Sequence, residues 1–143
     1  GTTTVTAQSG GTVTVGSGGA AANVSGATTN INAGTVNIDA NSSIASTAGD
    51  VTLQGTSPGN ALSVNFTGAN SSISSVGGNV NFNQAASPGQ ITVTGGPTNG
   101  VITANAGAGN VLFNGGANAV QVNVRRIDGC IGGSGNPFNI TVP

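Results

Sequence analysis

Apolar and polar residues alternate along most of this chain, in short runs. Val13 and Val15, Val36 and Ile38, Val51 and Leu53, and Leu62, Val64 and Phe66 are each separated by a single Thr, Asn or Ser. The pattern returns at Val80 and Phe82, at Ile91 and Val93, at Val120, Val122 and Val124, and at Phe138, Ile140 and Val142. A period of two sends alternate side chains to opposite faces, so each run predicts a strand with one buried and one wet face. Val, Ile and Thr, which dominate these runs, favour the pleated state. Gly or Asn interrupts every stretch before a helical period can establish itself.

A local cue, Gly-x-apolar-x-apolar, announces most strands. It occurs at Gly11–Val15, Gly34–Ile38, Gly49–Leu53, Gly78–Phe82 and Gly89–Val93, and more loosely at Gly109–Phe113. The expectation is that each glycine turns a corner with positive φ. A longer repeat overlies the cue. Ala40-Asn41-Ser42-Ser43-Ile44 recurs 29 residues later as Ala69-Asn70-Ser71-Ser72-Ile73. At the same offset Val51/Leu53 matches Val80/Phe82, Val64 matches Val93, and Ile91/Val93 matches Val120/Val122. Units this short cannot bury their apolar faces alone, so stacked neighbours must supply the core. No linker divides the chain, and residues 1–143 read as a single repeat-built β domain.

Two all-β architectures fit. One is a parallel β-solenoid with Gly and Asn at its corners; the other is a β-sandwich of hairpins with strand exchange. Tight hairpin signals such as Asn99-Gly100 and Asp128-Gly129 are scarce, which favours the solenoid. The segments GGNVNF (77–82), AGDVTLQG (48–55), AGAGNVLFNGG (106–116) and SPGQITVTGG (87–96) resemble the strand repeats of filamentous-haemagglutinin-like adhesins and related giant bacterial surface proteins. The run DGCIGGSGNPFNITV (128–142) is similar to segments that end such blocks. The resemblance implies a right-handed β-helix, export to the bacterial surface, and an adhesive or scaffolding role.

Composition narrows the function. Only 3% of residues are charged while 36% are hydrophobic, which sets the chain apart from a disordered, charge-rich one. The charges are Asp39, Asp50, Asp128, Arg125 and Arg126, giving a net −1. Nucleic-acid binding needs several cations to neutralise phosphates, and they are missing. No apolar run approaches the roughly 18 residues of a membrane span. The polar opening Gly1-Thr2-Thr3-Thr4 carries no signal-peptide pattern. For a secreted protein this implies a leader already removed, or a stretch of a longer chain. Five Asn-x-Ser/Thr patterns, at Asn23, Asn41, Asn65, Asn70 and Asn139, are what chance gives in a chain this rich in those residues.

Candidate chemistry is sparse. Acid–base catalysis would have to draw on Asp39, Asp50, Asp128 and Cys130. Asp39 and Asp50 would need to meet on adjacent coils to act as a glycosidase-like pair, with no aromatic side chain to hold a sugar. The expectation is therefore no enzyme and no cofactor. Gly132-Gly133-Ser134-Gly135-Asn136 is similar to a calcium-binding nonapeptide repeat, but Pro137 stands where its Asp belongs. Thr-x-Thr pairs at Thr2/Thr4, Thr12/Thr14 and Thr92/Thr94 would suit an ice-binding face only if stacked on one flat sheet, and the sequence suggests that they are scattered.

The chain ends carry the strongest expectation. Thr2, Thr3, Thr4, Val5 and Thr6 read as a strand, as do Asn139 to Val142, and open strand edges pair with other chains unless capped. Together with Arg125, Arg126, Asp128, Cys130, Ile140 and Val142 they form the candidate subunit contacts. Arg126 and Asp128 also have a plainer reading as a local, solvated ion pair. The expected partners are other copies of the chain or neighbouring repeats, with host or matrix glycans as the candidate ligands. The expected setting is extracellular, as part of a surface fibre or adhesin. A pilus-type subunit that donates Thr2–Ala7 to its neighbour is the alternative.

Overall fold

The computed structural model covers residues 1–143 and shows a three-sided parallel β-solenoid. The first coil holds β1 (Thr2–Thr6), β2 (Thr12–Val15) and β3 (Asn23–Gly26). The second holds β4 (Thr28–Ala33), β5 (Thr35–Ile38) and β6 (Ser43–Ser46). The third holds β7 (Val51–Gly55), β8 (Leu62–Phe66) and β9 (Ser72–Ser75). The fourth holds β10 (Val80–Phe82), β11 (Ile91–Thr94) and β12 (Val101–Ala104), and the fifth β13 (Asn110–Asn114), β14 (Val120–Asn123) and β15 (Arg126–Asp128). β16 (Cys130–Ser134) and β17 (Phe138–Thr141) make two sides of a sixth coil.

Every third strand joins the same sheet. The first sheet runs β1-β4-β7-β10-β13-β16, the second β2-β5-β8-β11-β14-β17, and the third β3-β6-β9-β12-β15. All ladders are parallel, and the sole antiparallel bridge is an isolated one between Ser17 and Ala20. This excludes the sandwich alternative. The expected donor segment Thr2–Ala7 is already engaged within the chain: Thr2–Thr6 pairs with β4, and Ala7 N donates to the Asn32 carbonyl at 2.9 Å.

The 29-residue repeat is one full coil. Between the third and fourth coils it holds on all three sides: Val51↔Val80, Leu62↔Ile91 and Ser72↔Val101. Inward side chains stack into dry columns that merge into one core of 23 buried apolar residues. Ile31, Leu53, Phe82 and Phe113 form one column on the first sheet. Phe82 and Phe113 stack with ring centroids 4.7 Å apart, and Phe113 meets Phe138 edge-on at 6.5 Å. On the third sheet the large inward residues form one column, Val24-Ile44-Ile73-Ile102-Ile127, beside a column of small ones, Gly26-Ser46-Ser75-Ala104.

The corner glycines work differently from the sequence expectation. Gly11, Gly34, Gly49, Gly78, Gly89 and Gly109 do not have positive φ. Gly34, Gly49, Gly78, Gly89 and Gly109 are sites of close approach between coils, while Gly11 closes on Ala7 and Gln8 of its own coil. A Cβ on Gly89 would fall on the backbone of Gly59 and Asn60, and one on Gly78 on the backbone of Gly49 and Asp50. Positive φ is taken up largely by other glycines and by asparagines, including Asn41 (58°), Asn60 (58°), Asn70 (60°) and Asn83 (58°). Asparagine tolerates this region because its short amide bonds locally. Asn70 donates to Asn41 one coil below at 3.1 Å, so two corners of equal shape are tied together.

Every buried side-chain polar atom has a hydrogen-bond partner. Thr29 Oγ1 donates to the Ala45 carbonyl at 2.6 Å, Ser71 Oγ to Gly68 at 2.7 Å, and Ser75 Oγ to Gly49 at 2.8 Å. Asn83, fully buried, makes four bonds to its surroundings. Its Nδ2 donates to the carbonyls of Asn60 (2.8 Å) and Gly89 (3.3 Å), and its Oδ1 accepts from Gly55 N (2.7 Å) and Gln54 Nε2 (3.1 Å).

Candidate functional site: two ends and three faces

The solenoid sorts the candidate contact residues into two groups at opposite ends. Thr2, Thr3, Thr4, Val5 and Thr6 form β1, the outermost strand of the first sheet at one end. Cys130 opens β16, the outermost strand of that sheet at the other end. Ile140 lies in β17, which ends the second sheet, and Val142 follows it. Arg126 and Asp128 lie in β15, which ends the third sheet, with Arg125 just before them. At both ends, residues in register with the core columns are incompletely covered. Val5, Val13 and Val24 are half-buried at one end; Ile127, Phe138 and Ile140 are half-buried and Ile131 is 44% exposed at the other.

The charge cluster takes its plain form. Arg126 Nε donates to Asp128 Oδ1 at 2.8 Å, with the arginine side chain 66% exposed. An ion pair this wet contributes well under about 1 kcal/mol. Asp128 Oδ2 also accepts weakly from Thr103 Oγ1 at 3.4 Å, on the neighbouring strand β12. Cys130 is exposed and free.

Asp39 and Asp50 do not meet. Asp39 follows β5 and accepts from Ala40 N at 2.8 Å and from Gly19 N, one coil below, at 3.4 Å. These backbone donors, Ala40 first, hold its carboxyl below the usual carboxylate range. Asp50 precedes β7 at a different corner, where it accepts from Asn79 N at 2.8 Å and Asn81 Nδ2 at 3.2 Å, one coil above. Each carboxylate fastens one coil to the next. The surface has no pocket, and no three metal-ligating side chains gather at one place. The glycine run Gly132–Gly135 lies in β16 and the corner after it.

The three outer faces differ. On the first sheet, Asp50 precedes β7, and Leu112 and Gly132 lie in the outward column that begins with Thr4 and Asn30. On the third, Val101, Arg126 and Asp128 share the face with serines. The second sheet alone is polar and neutral throughout. Its outer columns are Thr12-Thr35-Ser63-Thr92-Gln121-Asn139 and Thr14-Asn37-Asn65-Thr94-Asn123-Thr141. The Thr-x-Thr pairs are scattered as expected, on two non-adjacent strands of this sheet and one strand of the first. Thr12/Thr14 and Thr92/Thr94 lie in register in its two outer columns. The sequence hid that register because the spacing between successive coils varies, so equal offsets do not mark equal positions.

Fold and surface together define a sparsely charged, three-sided parallel β-solenoid distinguished by one uninterrupted polar face. No family model matches the chain, and comparison with curated proteins and with solved structures yields no significant match.

Proposed function

We propose that this chain is a structural, non-catalytic segment of an extracellular bacterial surface fibre or adhesin. The observation that carries this reading is the match between its two ends. Each end presents strand edges of the same three sheets, with half-covered residues of the core columns behind them. A further coil placed on either end continues all three ladders in parallel. That coil comes from more of the same polypeptide or from another copy; a head-to-tail contact between copies is heterologous and propagates into a filament. The resemblance of the strand repeats to filamentous-haemagglutinin-like adhesins supports the surface setting. The low charge supports it too, since little electrostatic repulsion opposes edge-to-edge addition.

Electron microscopy of the purified chain at neutral pH, with and without reductant, tests the reading. Uniform filaments with a repeat of about 4.8 Å along the axis are expected if copies add end to end. Discrete particles of about five coils at all concentrations would reject self-assembly and confine the chain to being a segment within a longer rod. Head-to-tail filaments are expected to survive reduction, because each junction brings in a single Cys130; dimers that separate on reduction would mark a contact between two like ends instead. Surface exposure is tested separately, by labelling the Cys130 thiol on intact cells with a membrane-impermeant reagent.

A further inference from the structure

We propose that the outer face of the second sheet binds ice. The inference does not rest on the fibre reading: it concerns a side of the rod, not its ends. Three observations support it. Hydroxyl and amide groups repeat in two columns on all six strands, with no charged, aromatic or apolar member. The other two faces, built from the same composition, are each interrupted by charged or apolar groups, so composition alone does not explain the second sheet. The hydrogen-bonding capacity of the face is also largely unspent. Asn65 Nδ2 donates to Asn37 Oδ1 at 2.9 Å, and the remaining ten side chains have no side-chain hydrogen bond to the protein.

All three sheets share one strand spacing, so what sets this face apart is that polar groups fill that spacing without interruption. Neighbouring strands lie about 4.8 Å apart and alternate residues about 6.7 Å apart along a strand, which gives a rectangular net of polar groups. Ice presents rows of oxygen atoms with repeats of similar size. A liquid-like hydration shell does not hold that net, and a charged side chain would impose its own shell upon it. Many weak contacts to a rigid lattice add up because the coils beneath are fixed before binding, so little ordering entropy is lost. A single glycan chain fits less well, since sugar sites are concave and lined with aromatic rings. A second copy also fits poorly. The columns span about 24 Å by about 10 Å, far less than the roughly 800 Å² per partner of a stable interface.

The test uses the whole chain in two assays, inhibition of ice recrystallisation and thermal hysteresis. Wild type is expected to be active in both. Ser63→Arg and Thr92→Arg, at the centre of the face, are expected to lose activity while keeping the far-UV circular dichroism and melting temperature of wild type. Ser74→Arg, which faces outward on the third sheet, is expected to keep activity. A dye on Cys130, which lies off this face, is expected to be drawn into a growing ice front with wild type and excluded with Thr92→Arg. Inactive wild type overturns the proposal, as does equal loss in Ser74→Arg. Binding to an insoluble neutral polysaccharide without any effect on ice would also overturn it.

Discussion

Asn83 is the most informative single position for the stability of the rod. It is buried, holds φ at 58°, and bonds to groups on three segments: Gln54 and Gly55, Asn60, and Gly89. Replacing it with glycine keeps the backbone conformation and deletes every side-chain bond. The Gly55 N–H, the Gln54 side-chain amide and the carbonyls of Asn60 and Gly89 then each lose a partner at the corner. Each unpaired buried group costs about 1–3 kcal/mol, and a water entering the vacated space recovers part of this. Asn83→Gly is expected to lose about 3–5 kcal/mol on this basis. Asn83→Ala adds about 1 kcal/mol for a Cβ in the left-handed region. Asn41→Gly is the control, because Asn41 has the same φ but an exposed side chain; its cost is expected to be under about 1 kcal/mol. The chain has no Trp and no Tyr, so urea unfolding is followed by far-UV circular dichroism. Hydrogen exchange then reports which coils open. If Asn83→Gly and Asn41→Gly cost the same, the buried amide is not what holds this corner and the reasoning fails.

Ile73→Ala should cost about 2–5 kcal/mol, because Ile73 is fully buried between Ile44 and Ile102 and cannot be replaced by collapse of stacked coils. Val24→Ala, in the half-covered end coil, should cost about 1 kcal/mol or less; equal values in urea titration would contradict the column picture. Gly89→Ala is expected to lose about 1–3 kcal/mol through overpacking against Gly59 and Asn60. A neutral result in the same titration would mean that the corner glycines are not close-approach sites. The lowered pKa of Asp39 makes its carboxylate stabilising above the ordinary value of 3.8. That contribution is lost as pH falls through the lower folded value. Asn in its place, Asp39→Asn, should flatten the acid limb of a pH–stability curve, and an unchanged limb would rule out the bonds to Ala40 and Gly19 as its source.

The sequence disclosed the coil more clearly than the surface, and the reason is physical. Where both flanking corners have the same length, buried residues recur at a fixed offset, as Val51/Val80 and Leu62/Ile91 do. The third sheet was harder to read. Its strands bury one large residue each, Ile44 or Ile73 for example, flanked by serines, so the period of two has a single beat. Corner chemistry misled in a different way. A glycine before a strand is equally consistent with positive φ and with a close neighbour, and only the stacked backbone separates them. At the ends, the edge strands were legible from Thr2–Thr6 and from Phe138–Val142, but their division into opposite ends followed from topology.

The poverty of charge connects these levels. In a parallel stack, each outward residue sits about 4.8 Å from its counterparts above and below. A charge repeated on every coil would therefore repel itself along the whole column. The carboxylates that are present avoid this, because Asp39 and Asp50 occupy different corners and each is bonded to an amide of an adjacent coil. Threonine, serine and asparagine can repeat without that penalty, and an amide column gains hydrogen bonds, as Asn65 and Asn37 do. The second sheet carries this to its limit, with six successive coils and no charge. A face of that kind leaves only spacing and hydrogen-bonding capacity by which to recognise a partner, which is why a substitution that alters shape and charge at Thr92 separates a recognition surface from a merely soluble one.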